Sequence, residues 1–437
     1  MRLFIIFVIL IAITGCDCRD RDASFTNVKS DRTTTAQRQA FYGKLVAQII
    51  EGAFLQGLSD STEKAWQGAF WGMTLSRHRS DITRQAIETA LTRYKHRSVA
   101  FRRALLEVMI TVYPHQYIQN ISSIFRQERE PRLFAMSLYY LSANTKDRTV
   151  LQSYRQRLYN TFPAWQEDPI LLMAEVRLRR QMKTQKQEPP ALVDLLANRF
   201  DGPLPVLFSI QREDRRFPGR LIVRKPDGQF LRTRAGNLFN VGQLAMAASN
   251  MPAYLTNGNA PQGVYSMQGF GRSDNVFIGP SATLQLRLPY EVSADTFFHN
   301  GSDVQNPDWS RSRYRQLLPA SWRDYLPLYE AFYSGKAGRT AIIAHGTTIS
   351  PDYYKDELCY PFTPSLGCLT TLEIWDDDTG CLSLSGQQAL VSALKSNNIE
   401  YGYFVVVNKD DRQGPVAQAE ILPHVLQAEK RLTQSNK

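Results

Sequence analysis

Two short segments in the C-terminal half of the 437-residue chain contain the residue types that acyl transfer requires. An apolar run over residues 341–344 ends in His345 and Gly346, and a second segment ends in Gly367 and Cys368. Acyl transfer through a cysteine needs a thiol, a base that removes its proton, and hydrogen-bond donors for the oxyanion. We expect the His345 imidazole to accept the proton of the Cys368 thiol, whose unperturbed pKa is about 8.5. The backbone N–H groups of Gly367 and Cys368 are the candidate oxyanion donors.

The distribution of cysteines leaves a second interpretation of Cys368 open. None of the five cysteines lies between residues 19 and 358: Cys16, Cys18, Cys359, Cys368 and Cys381. This clustering favours specific chemistry near the C-terminus over a disulfide framework, which would spread cysteines more evenly. A bridge between Cys359 and Cys381 would leave Cys368 free. A bridge from Cys368 to either of them would instead make Cys368 structural and His345 a buried histidine at a strand end.

These motifs resemble those of the L,D-transpeptidases of the YkuD fold. The signature of that family is a His-Gly pair, a loop, and then Ser/Thr-His-Gly-Cys. His345 and Gly346 match the pair, and residues 365–368 (Ser-Leu-Gly-Cys) match the second part, except that Leu366 replaces the second histidine. Upstream, residues 260–267 (Ala-Pro-Gln-Gly-Val-Tyr-Ser-Met) resemble the family's Thr-Pro-x-Gly-x-Phe/Tyr strand.

The resemblance, which covers about residues 206–407, implies a cysteine acyl-enzyme mechanism on peptidoglycan stem peptides. Cys368 would attack the carbonyl between the L-centre of a diamino acid and a terminal D-residue, and would release D-alanine. An amine would then resolve the thioester and form a crosslink. One alternative is an L,D-carboxypeptidase, in which water resolves the thioester and the stem peptide is trimmed. The other is a non-catalytic peptidoglycan-binding or scaffold lipoprotein in which Cys368 is inert.

The resemblance also implies roles for residues around the nucleophile. In the family a backbone carbonyl beside the catalytic histidine orients its ring, which is the role implied for Gly346. Ser365 and Gly367 are implied to orient the reacting groups or to stabilise the oxyanion. Tyr265, on the Pro-x-Gly-x-Tyr strand, and Thr370, where the family carries Arg or Asn, are the candidate substrate-binding residues. The sequence has neither a zinc-ligand spacing nor a nucleotide-binding glycine pattern, so we predict no metal and no cofactor.

The N-terminus is typical of a bacterial lipoprotein. A short positive region precedes an apolar run over residues 3–13, which is too short to span a bilayer core that needs about 20 residues. A Thr-Gly-Cys sequence ending at Cys16 follows directly and resembles the lipobox, in which the cysteine takes the lipid. We predict a signal peptide over residues 1–15 and a lipidated Cys16 that anchors the chain to a membrane. The chain would then lie in the cell envelope, periplasmic or on the outer face of a membrane. An ordinary cleaved signal peptide with a chance cysteine is the alternative.

The first half of the chain is predicted to be helical. Residues 16–40 are polar and of mixed charge, which indicates a tether. Residues 41–200 carry apolar residues at spacings of three and four, with few glycines, which indicates helices. A weak repeat of 33 to 35 residues, marked by Trp66, Phe101 and Phe134, suggests an α-solenoid. An irregular helical bundle is the alternative.

After residue 203, short β-rich runs separated by turn residues predict a different architecture. Strands are expected at residues 220–224, 263–268, 283–288, 340–344 and 401–407, and helices near residues 240–248, 321–334 and 387–396. The predicted fold class is therefore an all-α N-terminal module followed, over residues 203–425, by a mostly β YkuD-like catalytic domain with peripheral helices. Residues 426–437 are predicted to form a polar tail.

Of the net charge of +11, +10 lies within residues 17–200, because residues 201–437 contain 23 basic and 23 acidic residues and Arg2 supplies the remaining charge. The predicted compartment excludes nucleic acid as a routine partner. The excess charge instead favours a protein partner, anionic phospholipid or a carboxylate-bearing wall polymer, against the alternative of a solvated helix surface. Basic residues crowd one part of the module: Arg77, Arg79, Arg84, Arg93, Lys95, Arg97, Arg102 and Arg103.

Overall fold

The computed structural model describes residues 28–183, 188–299 and 309–434. The predicted signal peptide, the lipidation site Cys16 and the first part of the predicted tether lie outside the described residues. The rest of the tether is ordered against the barrel domain, because Ser30 and Thr35 donate backbone hydrogen bonds to the carbonyls of Gly380 and Asp377. Among the described residues, no helix is both long and apolar enough to cross a membrane.

The first half of the described chain is helical. Its helices are α1 Thr35–Lys44, α2 Gly52–Leu55, α3 Glu63–Ser76, α4 Asp81–Thr92, α5 Val99–Val112, α6 Ile118–Gln127, α7 Pro131–Ala143, α8 Arg148–Thr161, α9 Pro169–Met182 and α10 Leu192–Leu196. A π-helical segment, Leu45–Glu51, joins α1 to α2. Side-chain caps mark where helices begin: Ser80 and Thr83 form a capping box at α4, and the Asp168 carboxylate accepts two N–H groups at α9.

The residues of the weak sequence repeat lie in one aromatic core. Trp66 is on α3, Phe101 on α5 and Phe134 on α7, and all three are buried. The Trp66 and Phe101 rings lie 6.5 Å apart, and α5 packs against both α3 and α7. Helices at equivalent positions therefore stack in chain order, as they do in helical repeats.

Several arginines of the basic cluster have partners within the protein. Arg102 pairs with Glu128 at 3.1 Å, and Arg97 pairs with Glu63 at 3.3 Å. Arg77 donates to the backbone carbonyls of Thr111 and Ala248. These guanidinium groups hold helices together, which favours the structural interpretation of this part of the charge. The anionic partner of the helical module stays a prediction.

The second half of the chain forms strands and further helices. The strands are β1 Val206–Arg212, β2 Gly219–Arg224, β3 Asn240–Leu244, β4 Gly263–Gly271, β5 Thr283–Arg287, β6 Ile343–His345, β7 Leu369–Thr371, β8 Glu373–Trp375, β9 Leu382–Ser385 and β10 Tyr401–Asp410. The helices are α11 Ala294–Phe297, α12 Arg311–Gln316, α13 Glu330–Lys336, α14 Gly386–Ser396 and α15 Gln418–Gln434. β8 and β9 form a separate two-stranded sheet.

Eight of these strands close into a mixed barrel in the order β1-β10-β4-β5-β6-β7-β3-β2. The pairs β1–β10 and β6–β7 are parallel, and the remaining neighbours are antiparallel. A YkuD domain is a sandwich, so the predicted YkuD-like fold class is wrong. The parallel pairing of β1 with β10 removes the edge that an open sheet would leave, and it joins segments about 200 residues apart.

Alternate residues of the barrel strands divide between two hydrophobic cores, as the period of two along a strand requires. On β1, Phe208 packs with the core that it shares with the helices, whereas Leu207 packs with the second core. On β10, Val405 and Phe404 divide in the same way. The barrel wall is therefore buried on both faces where it meets the helical region.

Three element predictions in this half differ from the structure. The helix predicted near residues 321–334 is two 3₁₀ turns followed by the α-helix Glu330–Lys336. Residues 240–244 form strand β3 and not the start of a helix, because they pair with β2 and β7. Helix α15 continues to Gln434, through most of the predicted polar tail. Glu429 on that helix is mostly buried and accepts hydrogen bonds from Phe230 N and from Arg232.

Candidate active site

Parallel pairing of β6 with β7 brings the two motif segments together. Ala344 lies opposite Leu369, and His345 lies opposite Thr370. Cys368 immediately precedes β7, two residues before Thr370. Since a strand rises about 3.3 Å per residue, Cys368 is offset from the register position of His345 by about 7 Å along the strand direction.

His345 is buried and neutral. Its Nδ1 lies 2.5 Å from the carbonyl oxygen of Gly346, which can only accept a hydrogen bond. Nδ1 therefore carries the proton, and Nε2 is left with a lone pair. Burial lowers the pKa of His345 to about 4, which the bond to Gly346 opposes. The imidazole is thus held as a proton acceptor, with its tautomer set by the carbonyl of the following residue.

Glu373, on β8, holds the turn that follows His345. Its carboxylate accepts hydrogen bonds from Ser281 Oγ and Ser385 Oγ at 2.7 Å and from Thr347 N at 2.8 Å. A Cβ at position 346 would overlap the Glu373 carboxyl group, so only glycine fits between them. Burial raises the pKa of Glu373, and its three donors oppose that rise.

Gly346→Ala is expected to lower the free energy of unfolding by about 1–3 kcal/mol, the usual cost of overpacking a buried site. The added methyl group must displace Glu373 and, with it, the Thr347 N–H that the carboxylate accepts. Urea unfolding measures the effect. Gly414→Ala is the control, because a Cβ there meets open space. Equal stability of the two variants would contradict the packing of Gly346 against Glu373.

Ser365 shapes the turn that presents Cys368. The Ser365 hydroxyl accepts the N–H of Gly367 at 3.1 Å and donates to the carbonyl of Cys368 at 3.0 Å. Gly367 has a φ of 115°, a conformation that L residues rarely adopt. The Gly367 N–H is therefore used within the turn, and of the two predicted oxyanion donors it is not free in this conformation. Leu366, which replaces the second histidine of the motif, is 45% exposed.

Arg339 lies behind this turn and was not among the predicted site residues. Its buried guanidinium donates to the carbonyls of Gly258 at 2.6 Å, Asn259 at 2.7 Å and Gly367 at 3.3 Å, and also to that of Ala253. Among the described residues, no carboxylate pairs with it. The only sequence signal is a lone arginine between a glycine turn and an apolar strand, which is equally typical of a surface cation.

The Cys368 thiol is half-buried and lies 3.6 Å from the carbonyl oxygen of Ala341. Burial raises its pKa, whereas a hydrogen bond from Ile343 N–H and the charge of Arg339 lower it. Ala341 has a φ of 59°, which is strained for a residue with a Cβ. Such strain is concentrated at functional sites in proteins.

No hydrogen bond joins His345 to Cys368 in the part of the chain that the structure describes. Catalytic hydrogen bonds are often long without substrate and tighten when substrate binds. The resting pair is a neutral thiol and a neutral imidazole on adjacent strands. This arrangement suits general-base activation of the thiol, because neither group is ionised before the substrate arrives.

The two candidate substrate-binding residues are internal. Tyr265 is fully buried in the barrel, where its hydroxyl donates to the carbonyl of Pro261 at 2.6 Å. Thr370 is 1% exposed, and its hydroxyl donates to the carbonyl of Thr363 at 2.8 Å. In this conformation both side chains support the barrel wall around the site.

Cys359, Cys368 and Cys381 are free thiols. Cys359 is fully buried against Leu244, Met246 and Tyr354, and burial raises its pKa to about 12. Cys381 is half-buried and lies where the chain pairs with Lys29. The bridges left open by the sequence are therefore absent among the described cysteines, and Cys368 is available to react.

The helical region braces the loop that supports this site. Residues 247–259 run between β3 and β4, and their carbonyls bind Arg339. From the helices, Arg77 donates to Ala248 O at 2.7 Å and Tyr139 donates to Asn250 O at 3.1 Å. Asn257, on the loop, donates to the Glu107 carboxylate. The loop also donates Ala248 N to Ser365 O at 2.7 Å.

Comparisons of the chain with models of known protein families, with curated proteins and with solved structures found no match. The likeness to L,D-transpeptidases therefore consists of the motif residues alone.

Proposed function

We propose that this protein is a cysteine acyltransferase of the cell wall, which acts as an L,D-transpeptidase on peptidoglycan stem peptides. The observation that supports the proposal is the pairing of β6 with β7, which sets an unbridged Cys368 two residues from the register position of His345, whose Nδ1 is bonded to the Gly346 carbonyl. The substrate class follows from the motif resemblance. A lipid anchor at Cys16 would keep the enzyme in the envelope, and loss of lipid labelling in Cys16→Ala tests that anchor.

The proposed reaction has two half-reactions. In the first, His345 Nε2 accepts the Cys368 proton while Sγ attacks the carbonyl of the bond between the L-centre and the terminal D-residue. The tetrahedral intermediate breaks its C–N bond, the leaving amine of D-alanine takes the proton from His345, and a thioester remains. In the second, an acceptor amine attacks the thioester and gives its proton to His345. An amide forms, and the proton returns to the departing thiolate.

Arg339 and Glu373 are positioning residues in this scheme. The Arg339 guanidinium binds the carbonyl of Gly367 and favours the thiolate that develops at Cys368. Glu373 fixes the turn after His345 and so sets the position of the Gly346 carbonyl. Preorganised groups of this kind accelerate a reaction because they need little rearrangement as charge develops.

Stem-peptide products test the proposal directly. The full chain is incubated with tetrapeptide stems, and the products are analysed by mass spectrometry. We expect crosslinked dimers and released D-alanine, both absent with Cys368→Ala. Shortened monomers without dimers would contradict transpeptidation and indicate the carboxypeptidase reaction. No change in the stems, together with binding to intact peptidoglycan, would overturn the enzyme proposal in favour of a binding protein.

The pH dependence of acylation is expected to be flat across neutrality. Burial lowers the pKa of His345 to about 4 and raises that of Cys368, so the neutral pair is the main form from about pH 5 to pH 8. The rate should fall only as the pH drops through the pKa of His345, because its protonated ring accepts no proton. Carbapenem adduct formation, followed by mass spectrometry, measures the rate. A tenfold rise per pH unit between 6 and 8 would instead indicate a preformed thiolate and contradict the base mechanism.

A further inference from the structure

A cavity of about 430 Å³ lies between helix α9 and the barrel, and residues 252–254 and 259 of the 247–259 loop form part of its wall. Its polar lining includes Arg177 and Arg180 of α9, Arg215 after β1, and Glu330 at the start of α13. Its volume is within the range of small-molecule sites. The proposed acyl transfer uses none of these side chains.

Arg215 is the most unusual residue of this cavity. Its side chain is 6% exposed, and its Nη1 is buried with no hydrogen-bond partner among the described residues. None of the described carboxylates lies within ion-pair distance of it. Burying an unpaired cation is unfavourable, because no hydrogen bond or ion pair within the protein offsets the loss of its hydration. Arg215 lines the cavity, so an anionic ligand there would compensate its unpaired charge.

The surroundings of Arg215 favour an anion. Arg177 stacks on the Tyr139 ring at 4.9 Å and has no carboxylate partner in the described chain. Arg180 Nη2 lies 3.6 Å from Glu213 Oε1, so the charges of these two residues cancel. Glu330 accepts the N–H of Gln262 at 3.0 Å, and Arg215 and Arg177 together outweigh its charge.

The rest of the lining sets the kind of anion. Met173, Val176, Pro252, Tyr254 and Pro327 give the cavity apolar walls. A planar guanidinium matches a carboxylate through two parallel N–H···O bonds. A ligand with an apolar body and a single carboxylate uses both features, whereas inorganic phosphate uses only the charge.

We infer that this cavity is a binding site for a small organic carboxylate, whose anionic group pairs with Arg215 and Arg177 and whose apolar body packs against the α9 wall. The carboxylate belongs to a free acid or to the C-terminus of a peptide. Cys368 does not line this cavity, so carboxylate binding here does not depend on the proposed acyl transfer.

Calorimetric titration of the full chain tests this site with matched probes. Benzoate and benzamide differ in charge at nearly constant shape, and acetyl-dialanine and its amide make the same comparison for a peptide end. We expect each acid to bind at least tenfold more tightly than its amide, and more tightly than inorganic phosphate at equal ionic strength. The tighter acid identifies the source of the carboxylate. Equal binding of acids and amides, no binding, or tighter binding of phosphate would overturn the inference.

Variants locate the binding to this cavity. Arg215→Met is expected to lower benzoate affinity at least tenfold and to leave stability unchanged or higher, because it removes an unpaired buried charge. Arg216→Met is the matched control, since Arg216 is exposed and pairs with Asp214 at 2.7 Å. Arg177→Met, at an exposed position, gives a second loss variant if Arg215→Met does not fold, and Glu330→Gln should strengthen binding. Equal affinity of the Arg177→Met and Arg216→Met variants would contradict the assignment. Cys368→Ala should bind benzoate as the wild type does.

Discussion

Cys368→Ala is expected to abolish acyl-enzyme formation completely, whereas Cys381→Ala retains the wild-type rate. Both thiols are free and half-buried, so they are matched in exposure. Only Cys368 lies beside β6, where the Ile343 N–H and the charge of Arg339 act on its sulfur. The thioester includes that sulfur atom, so no acyl-enzyme can form when the Cys368 thiol is removed.

The measurement is the mass shift of the intact protein after exposure to a carbapenem, a β-lactam that mimics the acyl donor. Peptide mapping then identifies the modified cysteine. An adduct on Cys381, or an adduct that persists in Cys368→Ala, would contradict the assignment of the nucleophile. Cys359 serves as an internal negative, because it is fully buried and burial raises its pKa to about 12.

His345→Gln is expected to slow acylation at pH 7 by about 10²–10⁴-fold, the usual contribution of a general base. Folding should be largely retained, because the histidine is neutral in the native state and glutamine is also uncharged. His299→Gln is the control. His299 is also partly buried in the barrel domain, where its Nε2 lies 2.8 Å from the Gly402 carbonyl, and burial lowers its pKa too.

The pH profile distinguishes a base from a merely structural histidine. Without the base, acylation should depend on the small thiolate fraction and rise about tenfold per pH unit toward the raised pKa of Cys368. The wild type should stay flat over the same range. Acylation of His345→Gln within threefold of wild type at pH 7 would remove His345 from the mechanism.

The candidate nucleophile and base could be proposed from the sequence because they sit in short local motifs. An apolar run ending in His-Gly and a glycine before a cysteine are visible without knowledge of the fold. Tyr265 has the same kind of local signal, but whether its hydroxyl faces substrate or Pro261 depends on which face of β4 is internal.

Features that depend on distant contacts could not be predicted in this way. Arg339 acquires its role only when the 247–259 loop supplies carbonyl groups around it, and Glu373 acquires its role only when it packs on Gly346. The closure of the barrel depends on the pairing of β1 with β10, and the sequence of neither strand indicates which strand it pairs with. Residues 240–244 contain a glycine and two amides, so their strand pairing follows from neighbours and not from local propensity.

Arg77 and Tyr139 donate hydrogen bonds to the 247–259 loop, and Glu107 accepts one from it, so the helices and the barrel are joined at this loop. Arg339 donates to the carbonyl of Gly258 on that loop, and Ser365 accepts the N–H of Ala248 at its other end. The barrel is therefore not expected to keep this arrangement without the helices, because the loop next to the Cys368 turn would lose its hydrogen bonds with Arg77, Tyr139 and Glu107. In the proposed reaction, helix residues far from the Cys368 thiol would affect the rate through this loop, and the two halves would be inherited together.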